Sequence, residues 1–151
     1  WSLHTTTAEG STLFSIAMLS AADVWAVGDE GRIYHYDGSN WSLHTTTGYD
    51  LNSVDMLSAT DGWAVGIGGL LYHYDGSTWS LHTTTGYFLS SVDMLSATDG
   101  WAVGNGGRIY HYDGATWSLH TTTGYVLSSV DMLSATHGWA VGAGGRIYRF
   151  D

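Results

Sequence analysis

The stretch WSLHTTTGYDLNSVDMLSATDGWAVGIGGLLYHYDGST, residues 41–78, decides the fold because it recurs along the whole chain. The following units, 79–116 and 117–151, match it at most positions, and the first unit, 1–40, is two residues longer because AEGST replaces GYD. A repeat of roughly 40 residues is typical of architectures in which each unit packs on its neighbours. The chain of 151 residues is therefore interpreted as one domain, 1–151, built from four units.

Four segments in each unit predict β-strands, which we name A (LNSVDML), B (GWAVG), C (LLYHYD) and D (WSLHTTT). These segments are rich in β-branched and aromatic residues, which favour strands. The connecting stretches SATDG, GIGG and DGST have the composition of turns, and no segment has a helical period. Four strands per unit of about 40 residues indicate the blade of a β-propeller. The sequence therefore predicts an all-β propeller of four-stranded blades, with four repeats per chain.

One stretch of the first unit resembles a known family of repeats. DVWAVGDEGRIYHYDGSNW, residues 23–41, is similar to the tandem repeats DvWAVG..G.I.HYDG..W of bacterial, notably myxobacterial, propeller proteins. It is more distantly similar to Asp-box and photosystem II assembly-factor propellers. The resemblance implies a propeller fold over the whole chain and implies little about function. A natural recent amplification and a designed symmetric propeller both remain open as origins.

The first seven residues form a D segment without a unit of its own, and the fourth unit stops before its own D segment. We expect the two to pair, so that the N-terminal strand adds to Arg146–Phe150 and removes two open sheet edges. The residues that carry this closure are Trp1, Leu3, Ile147 and Tyr148.

A chain that closes on itself is a four-bladed monomer, whereas two chains that exchange D strands form an eight-bladed ring with two-fold symmetry. We favour the homodimer, because eight blades turn by about 45° each, closer to common propellers than about 90°. A fragment of a longer array is a further alternative.

Composition excludes several classes of partner. The formal net charge is −10 with only four basic residues, which disfavours binding to nucleic acids and to anionic membranes. Cysteine is absent, which excludes disulfides and thiolate metal sites. No stretch approaches the roughly 18 apolar residues of a membrane-spanning helix. Neither a signal peptide nor an initiator methionine is present, so we expect a mature product or an excised piece of something longer.

The repeat also argues against catalysis, because a nucleophilic triad needs one unique cluster and every Ser, His and Asp here is multiplied. We therefore expect no enzyme. The DGST turn predicts that His73 and His82 lie on one face, but no third ligand is evident, and we expect neither a metal nor a cofactor. The innermost aspartates Asp55, Asp93 and Asp131 are interpreted as acceptors for neighbouring backbone N–H groups in preference to a calcium site.

Other repeated residues have structural interpretations. Aspartates before glycine in the C–D turns are expected to cap those turns, and glycines in the B–C loops to supply positive φ. The WAVG tryptophans are predicted to form the core between blades. These sets are Asp37, Asp75 and Asp113; the glycines of GIGG and its equivalents; and Trp25, Trp63, Trp101 and Trp139.

The four copies differ mainly in the D–A and B–C loops, which strand alternation places on one rim. An exposed tyrosine recurs there, and tyrosine is a common anchor in binding surfaces. We expect a non-enzymatic scaffold that binds a glycan or a protein through this rim. The alternatives are a purely structural or designed module without a ligand and an Asp-box glycoside hydrolase. The candidate ligand-binding residues are Tyr49, Tyr87, Tyr125, Asp50, Phe88, Val126, Asn105 and Arg108.

Overall fold

The computed structural model describes residues 1–7 and 10–151, and in these residues the chain forms four antiparallel sheets in series. Each sheet consists of consecutive strands in their order along the chain, and each of blades 1 to 3 takes its A, B and C strands from one repeat unit and its D strand from the start of the next unit. Blade 1 contains β1 (Leu13–Ser20), β2 (Asp23–Gly28), β3 (Arg32–Tyr36) and β4 (Trp41–Thr46). Blade 2 contains β5 (Leu51–Ser58), β6 (Asp61–Gly66), β7 (Leu70–Tyr74) and β8 (Trp79–Thr84). Blade 3 contains β9 (Leu89–Ser96), β10 (Asp99–Gly104), β11 (Arg108–Tyr112) and β12 (Trp117–Thr122). Blade 4 contains β13 (Leu127–Ser134), β14 (His137–Gly142) and β15 (Arg146–Phe150).

The strands follow the predicted A, B, C and D segments, which confirms the all-β propeller fold. The register also agrees with the predicted hairpin, since Tyr74 lies opposite Trp79 and His73 lies opposite Ser80. In the described part of the chain, the helical elements are short 3₁₀ turns between the B and C strands. They lie at Asp29–Gly31, Ile67–Gly69 and Asn105–Gly107.

The hydrophobic core lies between blades, because each sheet buries one face against the next sheet. Trp63 and Val65 of blade 2 pack against Leu89 and Met94 of blade 3, and the junction between blades 1 and 2 repeats this arrangement. As predicted, the WAVG tryptophans of blades 1 to 3 are buried. The prediction is wrong for Trp139, which is 54% exposed because no further blade packs on it within the described residues.

Hydrogen bonds between the innermost strands reinforce the packing. The N–H groups of Val54, Val92 and Val130 donate to serine hydroxyls of the preceding blade at 3.2–3.3 Å. The N–H groups of Met94 and Met132 donate to Asp55 and Asp93 of the preceding blade at 2.7 and 2.6 Å. The interpretation of these aspartates as backbone acceptors is therefore confirmed at two of three positions.

The first seven residues do not form the predicted closing strand within one chain. They have no β-structure, and among the described residues β15 pairs only with β14. The physical reason is distance along the series: residues 1–7 lie beside blade 1, where His4 contacts Tyr36, and β15 lies in the last blade. A single chain therefore leaves both ends of its blade series uncovered.

Candidate functional site on the loop rim

We name as the loop rim the B–C turns together with the D–A loops at residues 47–50, 85–88 and 123–126. Hydrogen bonds join the two sets, because the N–H groups of Thr47, Thr85 and Thr123 donate to carbonyl groups of the B–C turns at 2.8–2.9 Å. Each B–C turn thus holds the D–A loop that leads into the next blade. This geometry places the variable loops on one edge of the propeller, as expected from strand alternation.

Glycine at the end of each B–C turn makes this contact possible. Gly69 has φ +72°, and a Cβ atom there would lie 2.6 Å from the carbonyl oxygen of Tyr87. A side chain would therefore meet backbone atoms that have no room to move. The positive φ predicted for these loops is confirmed at Gly68 and Gly69.

Two tyrosines of the loop rim stack against arginines. The Arg108 guanidinium carbon lies 3.3 Å from the centre of the Tyr87 ring, and Arg146 is 3.4 Å from that of Tyr125. Both tyrosines are roughly half exposed. A guanidinium group stacked on a ring can still bind oxygen acceptors through its N–H groups. Nη1 of Arg146 donates to the Ala143 carbonyl oxygen at 3.1 Å. In the second unit, Leu70 occupies the position of these arginines, so Tyr49 has no arginine to stack on it there, and Tyr49 is 62% exposed.

The first junction of the loop rim has a different, acidic character. Arg32 forms ion pairs with Asp29 at 3.2 Å and Glu30 at 2.6 Å. Asp50 accepts a hydrogen bond of 2.9 Å from the N–H of Glu30. The rim therefore changes from carboxylate-rich at blades 1 and 2 to arginine and tyrosine at blades 3 and 4.

The other candidate residues lie on the same rim with unequal exposure. Asn105 and Val126 are exposed, and Phe88 is half buried. The structure thus brings all the ligand-binding candidates to one edge of the molecule, spread over successive blades rather than gathered in one pocket. Ala8 and Glu9, which belong to the longer loop of the first unit, lie outside the described residues.

Sequence reasoning missed an Asp–His pair in each of the first three blades. His35, His73 and His111 lie 2.9 Å from Asp23, Asp61 and Asp99. The same histidine rings contact the WAVG tryptophan of their own blade at centroid distances of 4.2–4.6 Å. A signal was present in the sequence, because unit four replaces both partners together, with His137 and Arg149.

The diagonal pair of histidines is likewise part of an aromatic cluster. His73 and His82 both contact the Trp63 ring, at 4.6 and 4.9 Å. Burial lowers the pKa of His82, so its neutral form is favoured. Within residues 1–7 and 10–151, no three His, Cys, Asp or Glu side chains are grouped so as to hold a metal ion.

The opposite edge of the propeller, which we name the turn rim, contains the C–D turns. Asp75 accepts hydrogen bonds of 2.9 and 2.8 Å from the N–H groups of Ser77 and Thr78. These bonds hold the pKa of the Asp75 carboxyl well below its usual range. Asp37 and Asp113 make the same bonds in their turns, which confirms the prediction that these aspartates are caps.

The innermost strands place Asp55 and Asp93 in half-buried positions. The pKa of Asp93 is raised to about 6, chiefly by burial and to a smaller extent by the carboxylates of Asp55 and Asp131, although the bond from the Met132 N–H acts in the opposite direction. Burial also raises the pKa of Asp55. The ionised form of these carboxylates is therefore disfavoured in the folded state.

Asp93→Asn is expected to stabilise the protein at pH 7 and to have little effect at pH 4. A carboxyl group whose pKa is raised on folding supports stability below its unfolded value of 3.8, and this support is lost as the pH rises through about 6. Asparagine retains an oxygen that accepts the Met132 N–H bond. Solvent access limits the gain to about 1–2 kcal/mol. Urea unfolding of the unchanged protein and of the variant between pH 4 and pH 7 measures the two free energies of unfolding. A difference between these free energies that does not change with pH would contradict the prediction.

Sequence comparisons do not assign the chain to a family. No protein-family model matches it, and no curated protein sequence is significantly similar. Among the described residues, no helix has the length and hydropathy needed to cross a membrane.

Comparison with solved structures gives matches to propellers. The structure of YCF48 bound to D1 peptide matches this chain at 22% sequence identity with a TM-score of 0.72. The structure of YCF48 from Cyanidioschyzon merolae matches at 20% identity with a TM-score of 0.74. The WD40 β-propeller domain of Doa1 matches at 12% identity with a TM-score of 0.79. The matches cover 92–93% of this chain and 50–52% of those chains, so the chain spans about half their length. The computationally designed Ika4 protein matches at 12% sequence identity with a TM-score of 0.75, and this match covers 97% of this chain and 94% of Ika4. These likenesses and the four sheets in series establish that the chain has the β-propeller fold.

Proposed function

We propose that this chain is a non-enzymatic propeller scaffold that binds a protein ligand through its loop rim. The observation that carries the proposal is the repeated pair of an exposed tyrosine and an arginine stacked on it, at Tyr87 with Arg108 and at Tyr125 with Arg146. Tyrosine and arginine are enriched where proteins bind one another, because both combine apolar area with hydrogen-bonding groups. The loop rim also contains most of the differences between the copies.

The charge pattern of the loop rim favours a ligand with groups of both signs. Among the described residues, the guanidinium group of Arg108 stacks on the Tyr87 ring without a side-chain hydrogen bond or ion pair, so its N–H groups can bind a carboxylate or a carbonyl group. Asp29 and Glu30 lie at the first junction and suit a basic or amide group. A polypeptide provides both kinds of group along one chain.

The fold comparison supports a peptide ligand by analogy alone. One of the YCF48 structures is described as bound to D1 peptide, and its fold resembles that of this chain. Because the identity is 22%, the likeness does not transfer the ligand, and the argument for binding depends on the residues of the loop rim. In this proposal the scaffold is a homodimer, because each chain has an uncovered blade face at either end.

Peptides selected from a random phage-displayed library are expected to bind the loop rim in preference to the turn rim. The triple variant Tyr49→Ala, Tyr87→Ala and Tyr125→Ala is expected to weaken their binding at least about 30-fold, the effect of losing an interface hot spot. Isothermal titration calorimetry with the selected peptides measures this change. Arg108→Ala alone is expected to weaken binding about tenfold or more.

A matched control changes the opposite edge. Ser39→Ala and Ser77→Ala place on the turn rim the residue that already occupies position 115, and they should leave the affinity unchanged. A glycan array tested in parallel separates the alternatives. Binding of glycans and of no peptide would replace the protein ligand by a glycan, and peptide binding that survives the triple variant would overturn the role of the loop rim.

A further inference from the structure

The first blade presents an uncovered face that has the composition of a blade junction. We name it the receiving face; it consists of Leu13, Ile16, Met18, Tyr36 and Trp41. Ile16 is 64% exposed, whereas Val54, at the same position in blade 2, is 5% exposed because blade 1 covers it. Leu13 and Met18 are likewise exposed, although their counterparts in blades 2, 3 and 4 are buried.

The last blade presents the complementary surface, which we name the leading face and define by Trp139, Val141 and Ile147. In blade 3 the corresponding tryptophan, Trp101, is 4% exposed because Phe150 of blade 4 lies over it at a centroid distance of 4.9 Å. In blade 4 all three residues of the leading face are exposed. The first and last blades thus expose the two complementary surfaces of a blade junction, and the chain forms this kind of junction three times between its own blades.

The N-terminal segment already occupies the place of an outer strand in front of the receiving face. His4 contacts Tyr36 edge to face at 5.8 Å and 88°. The D-strand histidine of each of the first three blades makes the same contact with the following blade, at 5.6–5.7 Å and 83–87°. Residues 1–7 therefore lie as the D strand of a blade that precedes blade 1, and the A, B and C strands of that blade are not supplied by this part of the chain.

Polar contacts of the junction are also incomplete at the last blade. Ser91 and Asp93 accept N–H bonds from blade 4, whereas Ser129 and Asp131, at the same positions of blade 4, accept none among the described residues. At the loop rim, a Cβ atom on Gly107 would meet Thr123, but one on Gly145 would meet nothing within 4 Å.

We infer that a second copy of this chain completes both ends, so that two chains form one closed ring of eight blades. The leading face of one copy packs on the receiving face of the other, and the same contact repeats at the second seam. Residues 1–7 of each copy add to β15 of its partner as the fourth strand. The inference rests on the homodimeric part of the proposed function and does not depend on the ligand.

The internal junctions specify the register of that added strand. In blade 1, Tyr34 lies opposite Leu43 and His35 opposite Ser42. The same register places Leu3 of one copy opposite Tyr148 of the other and Ser2 opposite Arg149. It also places Thr7 beside Gly145, in the position that Thr123 has beside Gly107.

A second copy is favoured over closure within one chain. Both faces are exposed at once in the single chain, so its four blades do not meet end to end. The contact joins two different faces, and if the ring closes after two copies, the assembly is a finite particle instead of a filament.

The ring has a consequence for the loop rim. At each seam, the B–C turn of blade 4 comes from one chain, and the D–A loop that leads into blade 1 comes from its partner. The loop rim then continues over all eight blades, and part of it exists only in the dimer.

Native mass spectrometry of the full chain tests the inference. The expected mass is twice the 16.3 kDa of one chain. A mass of 16.3 kDa at micromolar concentration, or a series of larger species, would overturn the closed dimer.

An engineered disulfide tests which chain donates the strand, and the absence of cysteine makes the result unambiguous. Leu3→Cys with Tyr148→Cys is expected to give a covalent dimer on non-reducing gels, because the two positions lie opposite each other across the seam. A disulfide within one chain would support the four-bladed monomer and overturn the inference. Thiols that stay free would also overturn the inference, because they would show that the two positions are not adjacent. The pair Leu3→Cys with Arg149→Cys is the control, since these positions are out of register and should cross-link much less.

Trp139→Asp provides a second variant that leaves the blades intact. Trp139 is half exposed in the single chain, so the variant should fold, but it places a charge in the dimer seam. The dissociation constant of the dimer is expected to rise at least about 30-fold. An unchanged constant would overturn the proposed seam. If the protein is a dimer whose loop rim binds no peptide, this inference stands and the proposed ligand site fails. If the protein is a monomer that binds peptides through the loop rim, the ligand site stands and this inference fails.

Discussion

Replacing Trp63 by alanine is expected to lower the free energy of unfolding by about 3–5 kcal/mol, the cost of removing a large buried aromatic side chain. Trp63 is 1% exposed and lies between His73 and His82 of its own blade and Tyr112 and Trp117 of the next. These rings are held by sheets on both sides, so they have little freedom to collapse into the cavity. Urea unfolding monitored by circular dichroism measures the loss.

Phenylalanine at the same position separates packing from hydrogen bonding. The Trp63 indole N–H has no acceptor in the described structure, so Trp63→Phe removes volume and breaks no bond. We therefore expect Trp63→Phe to cost clearly less than Trp63→Ala. Equal losses for the two variants would contradict the view that ring packing stabilises the junction.

Gly104→Ala is expected to cost about 3 kcal/mol or more, at the upper end for overpacked sites. The backbone at Gly104 is extended, with φ −178°, so the cost is steric and not a matter of backbone conformation. A Cβ atom there would overlap the carbonyl oxygen of Phe88 and lie 2.8 Å from the Leu89 Cα. The same carbonyl accepts the Asn105 N–H bond of 2.9 Å, so moving it away would break the connection between the B–C turn and the D–A loop.

Gly86→Ala is the matched control for this effect. Gly86 has φ +76°, and a Cβ atom added there would have no other atom within 4 Å, so the cost arises from the left-handed backbone alone. That cost is about 1–2 kcal/mol. Thermal unfolding of the two variants should rank Gly104→Ala as the less stable, and the reverse order would contradict the steric argument.

Much of the fold was predictable from the sequence because each signal is repeated in every unit. The alternation of LNSVDML, the turn residues and the buried WAVG tryptophans are local features, and local patterns determine strands and faces. The cap at Asp75 followed from the preference of aspartate for turns. Repetition also allowed the loops to be assigned to one edge.

What the sequence did not indicate depends on contacts between residues that lie far apart along the chain. The exposure of Trp139 reflects a missing neighbour, although its local sequence is the same as that around Trp101. The stacking of Arg108 on Tyr87 joins residues 21 positions apart, and only the replacement of arginine by Leu70 in unit two pointed to it. The Asp–His pairs depend on the alignment of strands B and C, which determines the facing residues only after the hairpin has formed.

The near-identity of the three internal junctions also affects how the chain folds. Because the junctions have almost the same stability, none of them is a unique nucleus, and assembly can begin at any one and spread to its neighbours. Blades 1 and 4 have one neighbour each in an isolated chain, so their amide protons should exchange with solvent faster than those of blades 2 and 3.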